Sequence, residues 1–188
     1  PVLEEIKGFL PPSTYGILAR EFCNGCGPVS IDALSSQLMV LLRRSGKTEL
    51  QSIIDVAEGL ENRIIKLATE SVNIDGFLTA LKTKRYTYTR LQRFLIHLLL
   101  NYTHDVEDIL PGGFPYMRLH GFSKQGQQLI RSIKDACDIP VITKGAHSRE
   151  YLNDKRFRTF WEKDVLATNL YSLLYQNKAF RTGNNDYL

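Results

Sequence analysis

The sequence predicts a mainly α-helical (α+β) protein: a multi-helix domain followed by a small β-α-β unit in the C-terminal half. Two observations predict this fold class. Apolar residues recur at spacings of three and four over most of residues 12–100, which is the period of one helix face. Further along, a helical segment lies between two short apolar runs that are typical of strands, which is the order of a β-α-β unit.

The first two helices are delimited by proline, glycine and capping residues. Pro11-Pro12-Ser13 is typical of a helix start, and Asn24-Gly25 of a helix end. Ser30 is the expected cap of a second helix, which Gly46 ends. The sequence therefore predicts one helix on either side of a glycine-rich turn.

Three further helices complete the N-terminal part. A capping box at residues 48–51 predicts a long helix whose apolar stripe continues from Leu50 to Ala68. A short helix is expected over about residues 74–81. Thr87 or Thr89 then caps a helix that carries the next apolar face.

The character of the sequence changes at Asn101, where an acidic link leads into a glycine- and proline-rich loop at residues 111–115. We expect a domain boundary here. Residues 1–103 would form a helical domain, and residues 104–188 would hold the β-α-β unit and a long C-terminal helix.

The β-α-β unit has its strands at residues 116–119 and 139–143. The helix between them begins at Phe122-Ser123, and its Leu129, Ile130 and Ile133 are expected to face inward. We expect parallel strands with a right-handed crossover, packed on the helices because two strands are not stable alone.

Composition excludes several classes of protein. The chain has 188 residues, an apolar share of 43% and a net charge of +4. No apolar run approaches the roughly 18 residues that a membrane span needs, and no signal peptide is visible, so we expect a cytoplasmic protein without membrane contact. The pair Cys23 and Cys26 has no second pair with which to hold zinc, so we interpret these cysteines as incidental and predict no metal site.

A basic stretch at residues 82–93 is the strongest functional signal. It contains no acidic residue, and the next acid downstream is Asp105. Cations that alternate with aromatic rings suit nucleic acid, because cations contact phosphates and rings stack on unpaired bases. The residues alone also allow a solvated helix entry with its tyrosines packed beneath it, since charge runs are common on protein surfaces. The candidate contacts are Lys82, Lys84, Arg85, Tyr86, Tyr88, Arg90 and Arg93.

Two smaller polar groups accompany this stretch. One group lies on the predicted long helix and comprises Glu58, Glu61, Asn62 and Arg63. Its carboxylates could serve as an acid/base or metal pair, or simply pair within the helix. We expect this group to support the basic stretch, with Glu58 or Glu61 orienting Arg85 or Arg90. The second group is a basic loop after the second strand. This loop is either an ordinary connector or a second RNA contact, in which case Lys144 and Arg149 would bind the RNA.

Four motifs carry a resemblance to a known family. They are Lys82–Thr87 with Thr89–Arg93, Asp55–Ile64, Met117–Ile142 and Ala167–Tyr171. In this order they resemble the bacterial tRNA(Met) cytidine acetate ligase family. The resemblance covers most of the chain.

The resemblance implies an enzyme that activates acetate with ATP to acetyl-adenylate and acetylates the wobble cytidine of elongator tRNA(Met). In that family an N-terminal nucleotidyltransferase domain binds ATP, with Mg, through a His-x-x-His motif. None of the histidines here has that spacing. We therefore expect this chain to be the region that follows the catalytic domain. It would have no ATP site and would be inactive by itself.

The implied partners are tRNA, contacted by the basic stretch, and the nucleotidyltransferase domain. An alternative function is a helical scaffold that docks on that domain and does not bind RNA by itself.

Overall fold

A computed structural model describes residues 2–57 and 59–187 of the chain. It is mainly helical with a small parallel sheet in the C-terminal half, which confirms the predicted fold class. The helices are α1 (Val2–Ile6), α2 (Pro12–Cys23), α3 (Ser35–Arg44), α4 (Lys47–Ser52), α5 (Leu60–Glu70), α6 (Ile74–Leu81), α7 (Tyr88–Leu100), α8 (His104–Glu107), α9 (Lys124–Ala136) and α10 (Lys155–Ser172). The strands are β1 (Met117–Arg118) and β2 (Val141–Ile142), and short 3-10 turns join several elements.

Helices α3 to α7 enclose the larger of two hydrophobic cores. Leu38 of α3, Ile64 of α5, Phe77 of α6 and Leu95 of α7 are fully buried in it. Leu38, Ile64 and Leu95 lie on apolar faces that the sequence predicts. Burial of such side chains is the main source of stability for this part of the molecule.

The predicted long helix is wrong, because it divides into α4 and α5. Ile53 leaves the helix to form an antiparallel bridge with Thr103. Asp55 and Gly59 then adopt left-handed backbone conformations, with φ of 76° and 84°. The apolar stripe continues across this break, since Ile53 and Val56 are buried in the same core. The periodicity that indicated one helix is therefore satisfied by two helices and a turn.

Two smaller differences concern helix starts. The second predicted helix begins with a 3-10 turn at Ile31–Leu34 before α3, and the Ser30 side chain makes no capping hydrogen bond. Helix α4 begins after Gly46 rather than at a capping box. By contrast, the predicted cap at Thr87 is confirmed, since its side chain accepts from the Arg90 N–H.

The C-terminal half contains the β-α-β unit, and its strands are parallel as predicted. Met117 lies opposite Val141 in the sheet. One face of the sheet packs against α10 in a second hydrophobic core. This core is formed by Ile142, Phe157, Trp161 and Val165, with Tyr116, Tyr151, Leu152 and Tyr187 packed against it.

Helix α9 does not bury its apolar face as predicted. Leu129 is 60% exposed and Ile133 is 42% exposed, and none of the described side chains of α9 is buried. An open, mostly apolar groove of about 550 Å³ lies along this face, where Phe122, Met117 and Val141 join the helix residues. The second core lies on α10, so α9 has no large apolar surface to pack against.

The two halves contact each other through α10. The Lys163 ammonium donates hydrogen bonds to the Leu100 and Asn101 carbonyls at the end of α7, at 2.7 and 2.8 Å. Near the end of α10, the Gln176 N–H donates to the Gly25 carbonyl at 2.9 Å. The two cores lie on either side of the predicted boundary at residue 103, but α10 touches both halves, so the division into two domains stays a prediction.

Candidate nucleic-acid interface

The basic stretch forms a loop between α6 and α7 together with the first two turns of α7. The backbone of Thr83 bonds to the Tyr86 carbonyl, and the Thr83 hydroxyl accepts from the Tyr86 N–H, both at 3.1 Å. These two bonds close a tight turn whose central residues are Lys84 and Arg85. The turn therefore presents two adjacent cations.

The side chains of Lys82, Lys84 and Arg85 are all exposed. Among the described residues, no salt bridge involves any of these three. They lie just before the N-terminus of α7, where backbone N–H groups add partial positive charge. This combination of free cations and a helix start is suited to a polyanion.

The two tyrosines of the stretch are held within the protein. Tyr86 is 6% exposed and belongs to the larger core, with the Arg85 and Arg90 guanidinium carbons 5.5 and 5.2 Å from its ring centre. Tyr88 is half-buried and its hydroxyl donates to Asp75 at 3.1 Å. Burial, together with that hydrogen bond, raises the pKa of Tyr88. Tyr86 was expected either to stack on an unpaired base or to pack beneath the loop. In the structure it packs beneath the loop.

The carboxylate of Asp55 contacts three basic side chains of α7. The Arg93 guanidinium donates to both of its carboxylate oxygens, with Nε–Oδ2 at 2.7 Å and Nη2–Oδ1 at 2.8 Å. The Arg90 Nε lies 3.7 Å from Oδ1, and the His97 Nδ1 lies 3.3 Å from Oδ2. The hydrogen bond from Arg93 lowers the pKa of Asp55 below its usual value. The carboxylate therefore stays ionised and orients the basic side chains.

Sequence reasoning missed this role of Asp55. The residue lies in one of the four motifs, but the predicted helix gave no reason for it to meet Arg93, which is 38 positions away in the chain. The only local signal was Gly59, a residue that often marks a break in a helical pattern. It is the break between α4 and α5 that brings Asp55 to the surface of α7.

Glu61 does not contact the basic stretch. Its carboxylate is buried and accepts from Gln51 at 3.2 Å and Asn62 at 3.1 Å, and Lys47 lies 3.5 Å away. A hydrogen bond from its own backbone N–H lowers its pKa. For Glu61 the predicted contact with Arg85 or Arg90 is therefore wrong. The same prediction for Glu58 concerns a residue outside the described ranges.

Arg63 does contact the stretch. Its Nη2 donates to the carbonyl of Leu81 at 3.2 Å, at the end of α6. Because the basic loop begins at the next residue, this bond fixes where the loop leaves the helix. Asn62 donates to Glu61 instead, and its supporting role stays a prediction.

Lys144 and Arg149 are exposed in the other half of the molecule. Arg149 lies on a 3-10 turn, Gly145–Tyr151, that contacts β2 and α10. The structure does not bring this loop into contact with the residues of the basic stretch described above. Its contact with RNA stays a prediction.

The cysteines and other possible metal ligands are scattered. Cys23 and Cys26 are free cysteines near the end of α2. In residues 2–57 and 59–187, no group of three or more His, Cys, Asp or Glu side chains is arranged to hold a metal ion. No helix in those ranges is long and apolar enough to cross a membrane.

A family model described as "HIGH Nucleotidyl Transferase" matches residues 2–186. The match spans both the helical part and the β-α-β unit. The chain therefore belongs to the HIGH nucleotidyltransferase family, with the tRNA(Met) cytidine acetate ligases that its motifs resemble.

Relatives and a solved structure support this assignment. The chain is 37% identical over 177 residues to the tRNA(Met) cytidine acetate ligase of Thermoanaerobacter sp. (strain X514), covering 94% of this chain and 43% of the relative. It is 34% identical to the ligase of Alkaliphilus metalliredigens, covering 99% and 44%. The fold matches the crystal structure of Thermotoga maritima TmcAL bound with alpha-thio ATP with a TM-score of 0.93 and 26% identity, covering 98% of this chain and 47% of that one. The chain thus spans less than half the length of these proteins.

Proposed function

We propose that this chain is the tRNA-contacting region of an ATP-dependent tRNA(Met) cytidine acetate ligase. In this function the loop cations bind tRNA phosphates, and a separate nucleotidyltransferase domain activates acetate with ATP and Mg before the acetyl group reaches the wobble cytidine. The named activity of the relatives supports the substrate. The bound ATP analogue in the Thermotoga maritima protein supports the nucleotide.

One observation carries the RNA-binding part of this proposal. Lys82, Lys84 and Arg85 are exposed and close together, and they have no acidic partner among the described residues. Neutralising phosphates releases counterions from the nucleic acid, so such a surface binds more tightly at low salt.

The test is a titration of the chain with an elongator tRNA(Met) transcript at several salt concentrations. The variant changes Lys82, Lys84 and Arg85 together to Ala. If each of the three cations neutralises one phosphate, the log–log slope should become shallower by about 2 to 3 in absolute value. Affinity near physiological salt should fall at least about tenfold.

The control changes Lys124, Arg131 and Lys134 of α9 to Ala, which removes the same net charge from another exposed surface. It should retain most of the wild-type affinity and slope. If the two triple variants weaken binding equally, net charge rather than the loop explains the affinity. If the wild-type chain does not bind tRNA, the proposed function fails.

A second candidate function is favoured by the exposed apolar face of α9. In this alternative the chain is a scaffold that docks on the nucleotidyltransferase domain and does not bind RNA by itself. Leu129, Ile133 and Phe122 are exposed and would bury against that domain, which would have to supply an apolar surface of its own.

This candidate has its own test. Hydrogen exchange of α9 would be followed with and without the nucleotidyltransferase part of Thermotoga maritima TmcAL. Docking should slow exchange across α9, and Leu129→Asp with Ile133→Asp should abolish the effect. The matched control, Gln127→Asp with Gln128→Asp, adds the same charge away from the apolar face and should leave the effect intact. Unchanged exchange on addition of the domain would contradict docking through this face.

A further inference from the structure

The pairing of Asp55 with two arginines of α7 has a property that a simple surface ion pair lacks. The carboxylate comes from a turn between α4 and α5, while Arg90 and Arg93 lie on α7. The side chain of Asp55 is only 12% exposed, whereas that of Arg93 is 59% exposed. The anchor is therefore largely enclosed, and the cation that it holds faces outward.

Backbone contacts fix the turn that carries Asp55 on its N-terminal side. Ile53 is bridged to Thr103, and the Ile54 N–H donates to the Tyr102 carbonyl at 3.1 Å. Asp55 itself has a φ of 76°, a left-handed conformation in which Asp and Asn are favoured over most other residues. The backbone that carries the carboxylate is thus positioned by contacts that do not involve the arginines.

We propose that Asp55 is a positioning residue for tRNA binding, which holds Arg93 and Arg90 so that their remaining N–H groups face a phosphate. This inference rests on the proposed function. Arg93 has five N–H donors, of which the bidentate pair uses Nε–H and one on Nη2. Three donors remain for the nucleic acid. A guanidinium that is already oriented loses less side-chain entropy when it binds.

Arg90 is held from two sides. Its guanidinium lies over the ring of the buried Tyr86, and its Nε lies 3.7 Å from Asp55. Tyr86 in turn closes the turn that presents Lys84 and Arg85. Asp55 therefore belongs to the same assembly as the loop cations, and its effect should reach beyond its own ion pairs.

The competing explanation is that Asp55 only masks positive charge. Masking and positioning predict opposite results when the carboxylate is neutralised. If Asp55 masks Arg93, then Asp55→Asn frees a cation and tightens tRNA binding. If Asp55 positions the arginines, the same change weakens binding even though the net charge becomes more positive.

The experiment compares Asp55→Asn with Asp75→Asn in tRNA titrations at about 150 mM salt, a physiological ionic strength. Asn fits the backbone conformation at position 55, so the change removes charge and not the turn. Asp75 also lies beside the stretch but accepts from the Tyr88 hydroxyl, so its change adds the same charge without releasing an arginine. We expect Asp55→Asn to bind about tenfold more weakly, and Asp75→Asn to bind as well as wild type or better.

A double-mutant cycle with Arg93→Lys shows whether the two residues act as one unit. Lys keeps the positive charge but cannot form the bidentate pair, and position 93 is exposed enough to accept it. Arg93→Lys should weaken binding about tenfold. The double variant Asp55→Asn/Arg93→Lys should also be about tenfold weaker, whereas independent residues would give about a hundredfold loss.

A measurement on the wild-type chain covers the case in which Asp55→Asn does not fold. The NMR signal of the Arg93 Nε–H should keep its hydrogen-bonded position when tRNA binds, because the pair with Asp55 persists in the complex. Loss of that signal on binding, or tighter binding by Asp55→Asn, would overturn the inference. If the wild-type chain binds no tRNA, the proposed function itself fails.

Discussion

The two halves of the molecule bury their apolar surface to different extents. Among the described residues, the core that α3 to α7 enclose in the helical half has nineteen buried members. Contacts between distant parts of the chain fix polar side chains at its surface. In the C-terminal half, the described core has four buried members and the apolar face of α9 is open. The helical half therefore presents charged side chains at fixed positions, whereas the C-terminal half exposes apolar surface. Four predictions test this difference, from the largest expected effect to the smallest.

A matched pair of core substitutions tests whether the two cores unfold separately. Phe77→Ala and Phe157→Ala each remove a fully buried ring, one from each core, and each should cost about 3–5 kcal/mol. The chain has one tryptophan, Trp161, which stacks on Phe157 with ring centres 5.9 Å apart, so its fluorescence reports the smaller core. Circular dichroism reports mainly the helical half.

We expect urea to unfold the smaller core first, because it buries less apolar surface. Phe157→Ala should move the fluorescence transition to lower urea and leave most of the circular dichroism transition in place. Phe77→Ala should mainly move the circular dichroism transition to lower urea. If both variants shift both signals equally, the halves form one cooperative unit and the contrast between them does not hold.

Lys163 tests how tightly the halves are joined. Its ammonium binds two carbonyls at the end of α7 and lies near the Tyr102 ring, and burial lowers its pKa. Lys163→Met keeps much of the side-chain volume but leaves those carbonyls without their donor, at a cost of about 1–3 kcal/mol. The two urea transitions should move apart.

The control for Lys163 is Lys155→Met, at an exposed position in the first turn of the same helix. It should change stability by less than about 0.5 kcal/mol. A Lys163→Met variant as stable as this control would show that α10 is held to α7 by apolar packing alone.

Acid titration tests the polar part of the helical half. Because the pKa of Asp55 is lowered in the folded chain, its ion pairs stabilise the fold fully above the unfolded aspartate pKa of about 3.9. That stability is lost as the pH falls below this value. At pH 6 the free energy of unfolding of wild type should exceed that of Asp55→Asn by about 1 kcal/mol or less, since Arg93 is exposed.

Thermal unfolding between pH 6 and pH 3 at low salt checks this sign. The difference between the two proteins should shrink as the pH falls below about 4. A difference that stays constant down to pH 3 would mean that the charge of the Asp55 carboxylate does not cause it.

The sequence predicted much of the fold and less of the site. The apolar faces of α3, α5 and α7 and the Thr87 cap follow from local periodicity and capping, the parallel strand pair follows from the strand-helix-strand order, and these were confirmed. The division of the long helix was missed because the buried Ile53 and Val56 continue the helical spacing through a turn. The basic stretch was identified from local composition. Its contact with Asp55 depends on a separation of 38 residues, which no local pattern encodes.

The α9 face gives the smallest expected effect and the sharpest contrast. Leu129→Lys should change stability by less than about 0.5 kcal/mol, because this side chain is already 60% exposed. Leu95→Lys, which places a charge in the closed core, should prevent folding. Thermal unfolding of the two variants measures the difference.

If Leu129→Lys proves nearly as costly as Leu95→Lys, α9 closes onto the sheet in solution and the groove is part of the core. If it is neutral, the apolar face contributes nothing to the stability of this chain. Such a face is available to a partner, and a variant that folds normally is then the right reagent for the docking test. The same variant would also show that the two surfaces of the molecule act independently, because a charge added at Leu129 should leave tRNA binding by the loop cations unchanged.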